Sequence, residues 1–182
     1  MALAAEILSG LNDQADHVMN NGAPGTAAIC RALIALAEGN SLCGQRIANW
    51  NPQAVLRDAL PLRIAGGLHD LFRRGVEPDL GKIYRGENTD PVAVEALIAE
   101  IVARRDADLL PWFDSPPQTN EAGRSASFVA ALHWLASRVA HNFELNEIGS
   151  SAGMNLLIER YRYDLDGVFS GPDNAPVTIK PE

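Results

Sequence analysis

At 182 residues the chain fits one ordinary domain or two small ones and is long enough to bury a core. A hydrophobic fraction of 47% and a charged fraction of 21% describe a folded globular protein and exclude a disordered one. The net charge of −8, with basic residues densest only at Arg73-Arg74 and Arg104-Arg105, argues against nucleic acid as a partner, because a phosphate backbone selects a basic stripe.

The first residues, Met-Ala-Leu-Ala-Ala-Glu, lack the basic start and apolar core of a secretory signal, and no apolar run reaches the length of a membrane span. The expected compartment is therefore the cytoplasm, with no membrane partner. Cys30 and Cys43 have no further ligands at zinc spacing and read as reduced thiols; no metal site is expected.

The first three-quarters of the chain is helical in its periodicity. Ala4 to Met19 puts Ile7, Leu8, Leu11, Ala15 and Val18 on one face, and Asn20-Asn21-Gly22 stops it. Thr26 caps a second helix that ends at Gly39-Asn40. A short helix spans Cys43 to Trp50, and another begins at Pro52 and is interrupted or restarted by Pro61. Leu62 to Arg74 has helical spacing, and Gly75 to Thr89 is loop-like. Asp90-Pro91 starts a helix through Arg105, and Asp114-Ser-Pro-Pro117 is a rigid turn. Asn120 then caps a long helix running to about His141.

The pattern changes at Asn142. Phe143 to Ile148 alternates apolar and polar and predicts a strand; Gly149 to Gly153 is a tight turn, and Met154 to Tyr161 a helix. Asp164 to Pro176 reads as a loop, and Val177 to Ile179 as a second strand. Two strands joined by a helix make one βαβ unit, which is marginal alone. The expectation is the front part of a longer protein, with an exposed sheet edge able to pair two copies into a homo-oligomer.

The most pointed chemistry lies in Glu147-Ile-Gly-Ser-Ser-Ala-Gly153. As Gly-x-Ser-x-Gly it is a nucleophile elbow carrying Ser151, the mark of a serine hydrolase. As acidic-x-Gly-x-x-x-Gly it is a small-molecule cofactor loop, where glycines and the following helix N-terminus let backbone N–H groups approach a ligand. No histidine follows His141, so an elbow cannot complete its triad in the usual chain order, and Glu147 suits a polar pocket better than a doubly buried strand. The cofactor reading is preferred, with Glu147, Gly149, Ser150, Ser151 and Gly153 as its residues. Thr119, Asn120, Glu121 and Arg124 form a candidate substrate-facing cluster at a helix start; capping by Asn120 and a favourable charge from Glu121 explain the same residues structurally. His69 and His133 sit on apolar helices and read as core or rim histidines.

The run from Glu147 to Leu157, followed by Arg160-Tyr-Arg-Tyr163, and the upstream block Gln118-Thr-Asn-Glu-Ala-Gly-Arg124 resemble a bacterial family of unknown function, DUF2332. Leu68-His69 and the order of preceding helices extend the resemblance over most of the chain. It implies a mainly α protein: a helical domain over 1–141, then the first βαβ portion of a Rossmann-like α/β domain over 142–182, truncated relative to longer members. The turn looks like the first motif of S-adenosylmethionine-dependent methyltransferases, which implies that cofactor. The sequence departs from the usual loop in having Ser151 where glycine is common. Glu182 stands where that class carries a second acid for the ribose, after a longer loop than usual. A non-enzymatic helical interaction module is the remaining alternative.

Overall fold

The structure is a computed structural model that describes residues 3–118, 120–139 and 141–180. It is mainly α with one small three-stranded sheet. The chain divides into two compact units, Met1–Pro117 and Gln118–Glu182. The domain boundary expected at 141/142 falls after the last long helix, whereas the compact units divide before it, because that helix packs with the C-terminal residues.

Among the described residues the N-terminal unit contains six α-helices, α1 (Ala5–Asn20), α2 (Pro24–Glu38), α3 (Leu42–Ala48), α4 (Leu60–Arg73), α5 (Leu80–Tyr84) and α6 (Pro91–Leu109), with 3-10 turns at Pro52–Ala54 and Leu110–Asp114. Helix α2 is the central one and packs against the other five. It begins earlier than Thr26 because Pro24, with no N–H to leave unpaired, occupies the first turn. Small residues let α2 approach its neighbours closely: a Cβ on Gly25 would lie 2.0 Å from the Ile83 carbonyl oxygen. Pro61 likewise starts α4 rather than breaking it. The stretch read as a loop over 75–89 contains α5, a single turn held by the burial of Leu80 and Ile83.

Ile29, Leu33, Ile64, Leu68, Ile98 and Ile101 are fully buried in this unit's core, each contributing ~1.5–3 kcal/mol of apolar transfer. Side chains then fix the helix ends. Asp90 caps α6 by accepting from the Ala93 N–H at 3.1 Å. Asp106 caps α3 from far along the chain, accepting from the Leu42 and Cys43 N–H groups at 2.5 and 2.8 Å. Burial alone would raise its pKa, but the bonds from Cys43 and Leu42 outweigh burial and hold the carboxyl below its ordinary value. Arg63 is buried and donates to the Asp58 and Phe113 carbonyls at 2.7 and 2.8 Å. No helix among the described residues is long and apolar enough to cross a membrane.

The C-terminal unit holds α7 (Ser125–Ala136), 3-10 segments at Ala122–Arg124 and Met154–Arg160, and strands β1 (Arg162–Leu165), β2 (Val168–Ser170) and β3 (Thr178–Ile179). The sheet order is β2-β1-β3, antiparallel between β1 and β2 and parallel between β1 and β3. A small core of Ala126, Val129, Tyr161, Tyr163 and Ile179 joins helix to sheet, and the Tyr163 hydroxyl lies 2.9 Å from the Ser125 hydroxyl.

This unit corrects several expectations. The strand expected over 143–148 does not form: residues 142–147 have no regular secondary structure, because alternation marks a strand's faces but only a neighbouring strand supplies its ladder. The long helix from Asn120 to His141 is shortened at both ends. Asn120 is engaged elsewhere, and Ser137 and Arg138 turn back onto the Trp134 carbonyl at 2.9 Å each, closing the last turn. Met154 to Tyr161 is 3-10 rather than α, with non-helical angles at Leu157. The loop expected from Asp164 contains a hairpin turning at Asp166-Gly167, whose φ values of 55° and 84° are those a two-residue turn requires. The parallel pair is therefore linked through β2, and the expected 143–148, helix, 177–179 unit is not formed among the described residues.

Candidate functional site

The Glu147–Gly153 segment is a turn built on left-handed backbone. Gly149, Ser151 and Gly153 have φ of 73°, 52° and 71°. The glycines take that conformation freely, whereas Ser151 takes it at a steric cost. Its hydroxyl donates to Gln118 Oε1 at 2.6 Å, so the serine of the Gly-x-Ser-x-Gly pattern faces an amide rather than a base.

Two asparagines hold the turn. Asn120 Nδ2 donates to the Ser150 carbonyl at 3.0 Å, bringing together two candidate residues 30 positions apart. Asn155 Nδ2 donates to Glu147 Oε1 at 3.0 Å. The remaining oxygens of these groups, Asn120 Oδ1, Glu147 Oε2 and Asn155 Oδ1, are buried and have no hydrogen-bond partner among the described residues. All three are acceptors. Leaving such an oxygen buried and unpaired costs ~1–3 kcal/mol, so three of them around one turn call for a donor. Beside Glu147 and Asn155 lies a cavity of ≈ 120 Å³ with apolar walls from Phe128, Leu145, Leu156 and Ile158.

The other candidates are not gathered here. Glu121 and Arg124 pair with each other at 3.3 Å on the surface, both largely exposed, which is the ordinary behaviour of an i, i+3 ion pair. Thr119 and Glu182 lie outside the described residues. Gln118 and Asn155 were not among the expected site residues. Asn155 sits two residues past Gly153, and a polar residue entering an apolar Leu-Leu-Ile stretch was the available signal. Among the described residues no group of three or more His, Cys, Asp or Glu comes together to hold a metal ion.

A second cavity of ≈ 270 Å³ lies in the same unit, between α7 and the end of β2. There His133 Nε2 is 2.6 Å from Ser170 Oγ. The floor is apolar, from Val129, Leu132 and Ile158, and His141 and Glu159 stand in its wall.

No curated protein and no solved structure matches the chain. The model of one family, described as an uncharacterized protein conserved in bacteria (DUF2332), matches residues 9–182, so it spans both the helical unit and the Glu147–Gly153 turn; the chain belongs to that family.

Proposed function

We propose that the C-terminal unit binds a small-molecule cofactor on the Glu147–Gly153 turn, and that this cofactor is S-adenosylmethionine, making the protein methyltransferase-like. The observation that carries the reading is the set of three acceptor oxygens, on Glu147, Asn120 and Asn155, that have no partner among the described residues. S-adenosylmethionine offers what they lack: a cationic ammonium, ribose hydroxyls and an adenine amino group, all donors. A carboxylate oxygen among the three favours a cation over a neutral donor. The ≈ 120 Å³ cavity beside them holds one arm of such a ligand, an alkyl stem against Phe128, Leu145 and Leu156. When bound, the cofactor supplies an electrophilic methyl group; the chain's own residues hold and orient it. Ser151, at the crest of the turn, limits how closely backbone approaches the ligand.

Isothermal calorimetry with the full chain tests this. S-adenosylmethionine and S-adenosylhomocysteine should bind, and Glu147→Gln should weaken the cation about tenfold, ~1.4 kcal/mol, while keeping the shape of the site. An absence of heat at millimolar ligand overturns the reading. The serine hydrolase alternative at Ser151 has no comparable support, since its hydroxyl donates a hydrogen bond to Gln118 and an amide oxygen is no general base.

A further inference from the structure

The hydrolytic chemistry that Ser151 lacks has its parts at another serine. Ser170 ends β2, and its hydroxyl lies 2.6 Å from Nε2 of His133, on α7. Nucleophile and base 37 residues apart in sequence are thus within hydrogen-bond reach, the first geometric requirement of an activated serine. The pair opens on the ≈ 270 Å³ cavity, whose Val129, Leu132 and Ile158 floor fits a short acyl chain. Gly171, which follows the serine and also lines the cavity, has φ of 91°, and a Cβ there would lie 2.1 Å from the Tyr161 carbonyl oxygen, so the chain after Ser170 can pack this closely only as glycine.

We propose that Ser170 and His133 form a nucleophile–base pair that takes the acyl group of small apolar esters. Ser170 Oγ bonds to the ester carbonyl carbon as its proton passes to His133 Nε2. The C–O bond to the alcohol then breaks, and the leaving alkoxide recovers that proton. Water attacks the acyl-serine, giving its proton to His133; the acid departs, and the proton returns to Ser170. This reaction is independent of the Glu147–Gly153 turn.

The test treats the folded full chain with a fluorophosphonate probe and maps the adduct by peptide mass spectrometry, with p-nitrophenyl butyrate turnover as a second readout. Modification should fall on Ser170, vanish in Ser170→Ala, drop at least tenfold in His133→Gln and persist in Ser151→Ala. His133 is exposed on α7, so its glutamine variant should retain the wild-type circular dichroism spectrum. Absence of an adduct at Ser170 in the folded wild type, an adduct on Ser151 instead, or one at Ser170 indifferent to His133→Gln overturns the proposal. Because the probe needs no cofactor, its failure leaves the S-adenosylmethionine reading to be judged by calorimetry alone.

Discussion

Single residues show two kinds of local conflict. Ser151 carries a side chain in left-handed backbone, which costs ~1–2 kcal/mol, and offsets part of that through its exposed bond to Gln118, ~0.5 kcal/mol. Ser151→Ala keeps the strain and loses the bond, whereas Ser151→Gly loses both. The glycine variant should be the more stable of the two by about 1 kcal/mol in urea denaturation. Glu77 is the opposite case, a buried carboxylate between two donors, Arg104 at 2.9 Å and Arg105 at 3.1 Å. Its bond to Arg104, chiefly, holds its pKa below the ordinary carboxylate value against the contrary push of burial. A depressed native pKa means stability that is fully present above the unfolded value, ~4.3, and lost as pH falls through the native one. Glu77→Gln should therefore cost about 1.5 kcal/mol at pH 7, and the gap to wild type should narrow below pH ~4.3 in acid titrations of the denaturant midpoint. The thiols complete this scale: burial pushes Cys30 up to about 12 and raises Cys43 as well, so neither is a nucleophile in the folded chain.

At the scale of elements, the sequence was legible where a helix carries its own signals. Asp90-Pro91 marked α6 because both cap and first-turn proline are local, and of the face expected for α1 Ile7, Leu11 and Ala15 are buried, while Val18 is half-buried and Leu8 is exposed. It was illegible where a partner decides. Phe143 to Ile148 alternates as a strand does, yet a ladder belongs to two strands and the residues that would supply the second are not set by this segment. The start of α3 shows both cases, since Ser41 caps it locally by accepting from the Gly44 N–H while Asp106 reaches it from 63 residues away. The hairpin was a different failure: Asp166-Gly167, flanked by Tyr163-Asp-Leu165 and Val168-Phe-Ser170, carries a recognisable two-residue turn signal, and the surrounding prolines and glycines masked it. The candidate site was half legible. Its glycines and Glu147 are a contiguous pattern, but that Asn120 would bond Ser150 rather than cap a helix, and that Asn155 would hold Glu147, depends on folding.

For the whole molecule, two compact units with separate cores imply two cooperative transitions. Leu33→Ala should lower the N-terminal transition by about 3 kcal/mol and leave the other in place, while Ile179→Ala should do the reverse by about 2 kcal/mol. Calorimetric scanning of the variants reads both, and a single shared transition shifted by either substitution would contradict independent cores.

The unladdered stretch after α7 also bears on handling. Ile148 is 102% exposed, and Phe143 and Leu145 are 39% and 40% exposed, so an apolar, β-prone segment is open to solvent with no partner strand among the described residues. Such segments stay in solution through the charges that interrupt them. Glu147 is tied inward to Asn155, which leaves Glu144 as the outward charge of the segment, so Glu144→Gln should lower the concentration at which light scattering first reports association.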